Sequence, residues 1–249
     1  MLSASVSVII KDEIEMLPLT MPCYASLANC LKEVVFVDDN STDGSREKAL
    51  EIASHFTHLP IVWITHELTN WGEQRNLGLE ACTGDFIMSV DADMGWTGNL
   101  RWLLEQDRFT EKDVWDFHLY ICRNNQHEWD IESGTGVTSR FIRNGVRYTG
   151  NVHEQPDSIN NGQAVTKAVC DDIKMFEWSS LCSPLVLIER GKRVQKFQKM
   201  MIARGIGPGD EERYIRFKYC NNPTGKFDQA TIDMIPTMQS ALAHWGNGR

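Results

Sequence analysis

The sequence has no C-x-x-C pair, no apolar run of membrane-spanning length, no internal repeat and no excess of positive charge. Each absence closes off a class of protein. The seven cysteines, at positions 23, 30, 82, 122, 170, 182 and 220, are odd in number and unpaired in spacing. They read as reduced thiols of a cytosolic protein and not as a disulfide framework. A membrane-spanning helix needs about 18 or more consecutive apolar residues, which no segment approaches. The opening "MLSASVSVII" lacks the cationic flank of a signal peptide and reads as a buried first strand. With 25 Lys and Arg against 34 Asp and Glu, the net charge is -9, which argues against a generally basic nucleic-acid binder. The expectation is a cytoplasmic enzyme with no built-in membrane anchor.

What is present is alternation. "VSVII" (Val6–Ile10), "VVFV" (Val34–Val37), "IVWI" (Ile61–Ile64) and "FIMSV" (Phe86–Val90) are short β-rich runs. Between them, "REKALEIASHF" carries Ala49, Leu50, Ala53 and Phe56 at helical spacing, and "GEQRNLGLEACTG" reads as a helix stopped near Gly84. Strands alternating with helices predict an α/β fold with a mostly parallel sheet and helices on both faces. In such sheets ligands bind beyond the carboxyl ends of the strands. Acidic residues gather at those ends: Asp12 and Glu13, then Asp38 and Asp39, then Asp91 and Asp93.

Past Trp96 the pattern changes. "WDFHLYI" and "GVTSRFIRNGVRYTG" look like strands, the second a hairpin turning at Asn144-Gly145. From about residue 163 the composition shifts again: "PLVLIERGKRVQKFQKMMIARG" places Leu187, Val194, Phe197 and Met201 on one face of an expected helix that "GIGPG" breaks, and a last helix is expected through "ATIDMIPTMQSALAHW", kinked at Pro236. The expected division is a catalytic core over 1–160 and a mainly helical, acceptor-side extension over 161–249.

With seventeen aspartates, chance supplies roughly one D-x-D in a chain this long. Asp91-Ala92-Asp93 stands out by following an apolar strand with no turn residue between. Two hard oxygen donors there suit Mg²⁺ or Mn²⁺, which keep positions open for phosphate oxygens. Phosphatases of the haloacid-dehalogenase kind also use an Asp-x-Asp pair. Theirs ends the first strand and is followed by Thr or Val; this one ends the fourth and is followed by Met94 and Gly95.

The order of motifs resembles the family 2 glycosyltransferases, inverting enzymes of the nucleotide-sugar-binding GT-A fold. "VSVIIKDEIEML", "VVFVDDNSTDGS", "GEQRNLGLEACTGDFIMSVDADM" and "SRFIRNGVRYTGNVHEQP" are similar to four of their stretches in the same order, the last to a branch ending in Val-His-Glu. The resemblance covers about residues 5 to 156. It implies a GT-A core and a nucleoside diphosphate sugar, UDP-linked by family habit, as donor. Asp93 would ligate Mn²⁺ or Mg²⁺, with Asp91 on the ion, on a water or on the donor ribose. Asp39, with Asp38 beside it, would accept a hydrogen bond from uracil N3–H or else cap the helix that follows. Ile10, Asp12 and Glu13 would line the nucleotide pocket, where this chain has Lys-Asp-Glu-Ile and the branch shows Lys-Asn-Glu-Glu. Arg75 would offer its guanidinium to the donor, or sit on a helix surface. His153 would join the metal and Glu154 would be the general base, or the two roles would be exchanged.

The last third carries a basic stretch: Arg190, Lys192, Arg193, Lys196, Lys199 and Arg204. It reads as the solvated face of an amphipathic helix or as a docking face for an acceptor: a polysaccharide, DNA with a hydroxylated base, or a lipid-linked sugar on an anionic membrane surface. Eight tryptophans, Trp71, Trp96 and Trp178 among them, would stack on sugars or fill the core. Two other classes fit less of the pattern. A nucleotidyltransferase on a similar sheet would carry a Gly-rich phosphate loop after the first strand, and "IIKDEIEML" has no glycine. A non-catalytic nucleotide-sugar-binding protein would not need Asp91, Asp93 and the His-Glu pair intact. Neither the donor sugar nor the oligomeric state is fixed by sequence.

Overall fold

Apolar runs without polar alternation become strands buried on both faces. Val34 and Phe36 enter one core cluster while Val35 and Val37 enter another. The computed structural model describes residues 1–130, 136–150, 155–159, 162–183, 186–189, 191–192 and 224–245. In chain order the strands are β1 (Ala4–Ile10), β2 (Leu31–Asp38), β3 (Ile61–Thr65), β4 (Phe86–Asp91), β5 (Met94–Trp96), β6 (Val114–Ile121), β7 (Glu128–Asp130), β8 (Gly136–Arg143), β9 (Val146–Thr149), β10 (Gln155–Ile159), β11 (Lys167–Glu177) and β12 (Thr224–Lys226). The helices are α1 (Leu17–Ala25), α2 (Ser45–Ala53), α3 (Trp71–Ala81), α4 (Leu100–Glu105), α5 (Gln229–Asp233) and α6 (Met238–Trp245).

One sheet has the order β3-β2-β1-β4-β8-β6-β11-β5. β1 to β4 are parallel neighbours; β8 runs against β4 and β6; β11 runs with β6; and β5 closes the edge antiparallel to β11. Strands β1, β2, β3, β4, β6 and β11 therefore end on the same side. Side chains of α1, α2 and α4 pack on one face of the sheet, and α3 with β9 covers the other.

Three expectations change. Asn144-Gly145 is a turn, with Gly145 at φ +103°, but β9 does not fold back along β8. Both edges of β8 are taken, by β4 and β6, so β9 pairs with β10. Pro236 does not kink a helix; α5 stops before it and α6 starts after it, as a ring without an N–H dictates. The sheet also passes the expected boundary at 160, because Lys167–Glu177 is β11 inside it. Of the helix face expected through 187–201, Leu187 alone is described. Among the described residues, no helix is long and apolar enough to cross a membrane.

Candidate active site

The acidic strand ends meet because register aligns them. Ile10 lies opposite Asp38 between β1 and β2, and Ile9 lies opposite Asp91 between β1 and β4. The loops that follow are stitched together. Asp12, at φ +51°, accepts a hydrogen bond from the Thr42 N–H at 2.7 Å, and its own N–H donates to Ser41 Oγ at 2.9 Å. Lys11 Nζ donates to the carbonyls of Asp39 and Asn40. The Glu13 N–H donates to Ser45 Oγ, and the Ile14 N–H to Asp43 Oδ2.

Asp38 is buried, and its Oδ1 accepts both the N–H and the hydroxyl of Ser41. Asp39 Oδ1 accepts the Leu68 N–H at 2.9 Å, tying the end of β2 to the loop before α3. It does not cap α2. That helix starts at Ser45 behind Gly44, and Asp43 takes the Ser45 N–H.

The first turn of α3 is set by Asn70, whose side chain accepts the Glu73 N–H. Arg75 lies one turn further on, and it is not a surface residue: it is 3% exposed. Its Nη2 donates to Asp91 Oδ1 at 2.6 Å, and its guanidinium lies 5.6 Å from the centre of the Tyr148 ring. Asn76 fixes that ring's backbone, donating to the Tyr148 carbonyl at 2.9 Å and accepting its N–H at 2.8 Å. Arg140 on β8 brings a second guanidinium to within 3.8 Å of Asp91 Oδ2. Sequence reasoning missed Arg140 and Tyr148. Arg140 is 49 residues from Asp91 and Tyr148 is 73 from Arg75; the insertion of β8 beside β4 joins the first pair, and the Asn76 hydrogen bonds hold Tyr148 beside α3.

The Asp91-Ala92-Asp93 turn is pinned on both sides. The Ala92 N–H donates to the Ile9 carbonyl, and the Trp178 N–H to the Asp93 carbonyl. Gly95 has no room for a side chain, since a Cβ there would lie 2.4 Å from the Trp178 ring. Trp96 and Trp178 are fully buried, so these two tryptophans serve the core. Tyr24, stacked on Trp96 at 5.5 Å, has its hydroxyl pKa raised by burial, with smaller contributions from the charges of Asp93 and Asp91.

The sequence-predicted residues Ile10, Asp12, Glu13, Asp38, Asp39, Arg75, Asp91 and Asp93 thus share one end of the sheet. His153 and Glu154 lie outside the described residues, as do Arg190 and 193–204 of the basic stretch. Lys192 pairs with Glu189 at 2.7 Å. Among the described residues no group of three His, Cys, Asp or Glu side chains forms a metal cage. Two carboxylates beside a strand end still fit a small divalent ion, which is commonly held by one or two carboxylates plus phosphate oxygens.

The sequence profile described as glycosyl transferase family 2 matches residues 5–163. S. aureus TarS, residues 1–349, has a similar structure: TM-score 0.52, 14% identity, 87% of this chain and 69% of that one covered. A Pyrobaculum calidifontis mannosyltransferase, PcManGT, solved with GDP-Man and Mn²⁺, superposes with TM-score 0.51 and 14% identity over 97% of this chain and 74% of its own. A TPR repeat-containing protein of Synechococcus elongatus is 31% identical over 97 residues, 37% of this chain, which spans about a fifth of that protein's length, 21%. The chain belongs to glycosyl transferase family 2 and has a GT-A-type sheet.

Proposed function

We propose that the chain is a metal-dependent inverting glycosyltransferase using a nucleoside diphosphate sugar, with UDP as the carrier. The observation that carries the reading is that Asp38 and Asp39 stand at the end of one of the two strands flanking β1 and Asp91 and Asp93 at the end of the other, on the same side of the sheet, with a buried arginine bracing Asp91. Asp93 would hold Mn²⁺ or Mg²⁺, with Asp91 beside it and His153 as a further ligand. A divalent ion bound there supplies Lewis-acid stabilisation to the diphosphate leaving group.

The chain's own residues do the rest. Leu68 N–H occupies Asp39 Oδ1, which leaves Oδ2 to accept N3–H of uracil. Asp38 holds the loop that forms the pocket wall, and Ile10, Asp12 and Glu13 line it. Glu154 takes the proton from the acceptor hydroxyl. The acceptor oxygen bonds to the anomeric carbon as the bond to the diphosphate breaks on the opposite face, which inverts the centre. The acceptor is a saccharide or a hydroxylated base in DNA, met through the basic segment 190–204, and the enzyme works in the cytoplasm.

The test is donor hydrolysis with Mn²⁺ across UDP-glucose, UDP-N-acetylglucosamine and GDP-mannose. Release of UDP, lost on chelation, is expected. No release from any donor, with none bound in calorimetry, sinks the reading. Glu154→Gln should abolish turnover and leave donor affinity nearly unchanged; near-normal kcat would place the base elsewhere. If DNA is the acceptor, duplex affinity should fall steeply between low and moderate salt.

A further inference from the structure

Asp91 is compensated from two directions. Arg75 Nη2 meets its Oδ1 at 2.6 Å, and Arg140 Nη2 lies 3.8 Å from its Oδ2. A β-bulge explains how the second cation reaches it: Trp115 pairs with Phe141 and Asp116 with Ser139, so Arg140 is the extra residue on β8. Bulges re-aim a side chain out of the regular alternation. Here the bulged residue is the one whose guanidinium lies beside Asp91. Two guanidiniums thus face the Asp91 carboxylate. A carboxylate so compensated is a poorer ligand for a further cation, because the Arg75 hydrogen bond occupies Oδ1 and the charge of Arg140 lies beside Oδ2.

The two arginines are not equivalent. The Arg75 side chain is 4% exposed, with its guanidinium over the Tyr148 ring, so it is walled in. The Arg140 side chain is 14% exposed. Its Nε donates to Thr138 Oγ1 at 3.0 Å and one Nη approaches Asp91. A guanidinium carries five N–H donors in a planar fork, so donors remain for phosphate oxygens.

We propose that Arg140 is a catalytic residue that contacts the donor's diphosphate, and that Asp91 is the brace that aims it, with Asp93 the carboxylate of the pair that meets the metal. This rests on the nucleotide-sugar reading given above. It divides the labour of the D-x-D turn: one carboxylate serves an arginine and the other serves the ion. Negative charge growing on the leaving group would then meet a fixed guanidinium as well as the metal, at no reorganisation cost.

Two measurements on the full chain test it. Mn²⁺ binding in the presence of UDP is read by electron paramagnetic resonance, and donor hydrolysis is read as kcat and KM. Arg140→Gln is expected to lower kcat about a hundredfold, the scale of a lost transition-state donor, with Mn²⁺ affinity within about threefold of wild type. Arg140→Lys should recover part of the rate, and added guanidinium should partly rescue Arg140→Ala. Asp91→Asn should keep Mn²⁺ affinity within about threefold while losing rate, whereas Asp93→Asn should weaken Mn²⁺ by more than about tenfold. Arg140→Gln with wild-type kcat and KM overturns the assignment and leaves the glycosyltransferase reading standing. So does an Asp91→Asn variant that loses Mn²⁺ as severely as Asp93→Asn. A wild-type chain that binds no nucleotide sugar overturns the donor reading, and this assignment with it.

Discussion

A buried guanidinium must have a partner, because desolvation without compensation costs more than any surface ion pair returns. Arg75 meets that condition through Asp91 on one side and the Tyr148 ring on the other. Replacing it with leucine leaves the Asp91 carboxylate, a third exposed, beside an apolar side chain. The expected loss is about 2 kcal/mol, the scale of a hydrogen bond to a charged group, read as a lower urea midpoint with unchanged slope. Arg75→Lys should recover less than half of it, since an ammonium can neither stack flat on Tyr148 nor present the same fork. An Arg75→Leu midpoint equal to wild type would mean that Asp91 needs no brace. At this scale the sequence was a partial guide. The places of Asp38, Asp39 and Asp91 were legible because strand ends in an α/β pattern say where to look, whereas Arg75 was singled out only by the resemblance of its motif. The partner of Arg75 was not legible, since the spacing from residue 75 to 91 or 148 carries no periodic signal.

At the scale of elements, the position of α3 decides where Arg75 points. The helix lies close on the sheet at Gly78, where a Cβ would fall 2.2 Å from Ser7 Oγ and 3.0 Å from Val37 Cγ2. Ser7 is buried, and its hydroxyl has no hydrogen-bond partner among the described residues. Its small size matters more than its polarity. Gly78→Ala should push α3 outward and cost about 1–3 kcal/mol, the range for overpacking a tight contact, while also weakening the Arg75–Asp91 contact and hence turnover. Ser7→Ala alone should be close to neutral. Combined with Gly78→Ala it should restore part of the loss, because the remaining Cβ–Cβ distance, 3.4 Å, is ordinary contact. Thermal melts of the four proteins form a cycle; strict additivity would show that the helix does not rest on Ser7. The existence of α3 was legible from "GEQRNLGLEACTG" and its stop near Gly84. Its depth was not, because depth is set by which small residues face each other across two elements. The hairpin at Asn144-Gly145 failed for a related reason. Turn chemistry predicts a reversal of direction, but pairing depends on whether the neighbouring edge is free, and β8 has none.

Across the whole molecule, parallel strands deliver their carboxyl ends to one side, and the core beneath them is apolar enough to hold cysteines as thiols. Cys23, Cys82 and Cys122 are buried in three different places: on α1 against Gly95 of β5, at the end of α3 and just past β6. Burial pushes each thiol from the ordinary value of 9.0 up to about 12. The consequence for stability has a definite sign. Below pH 9.0 the thiols are protonated in both the folded and the unfolded chain and contribute no pH dependence. Between pH 9.0 and about 12 the unfolded chain releases protons that the folded chain retains, so the unfolded chain is favoured as pH rises. Urea midpoints should therefore fall progressively above pH 9, and a Cys82→Ala variant should fall less steeply than wild type. The same burial predicts chemistry. At pH 8 iodoacetamide should leave these three thiols unmodified in the native chain and alkylate them in urea, as mass spectrometry of tryptic peptides would read. Labelling of Cys122 in the native chain at the rate of a free thiol would mean that the region around β6 opens readily, placing the wall of the site beside Trp178 at the unstable end of the fold.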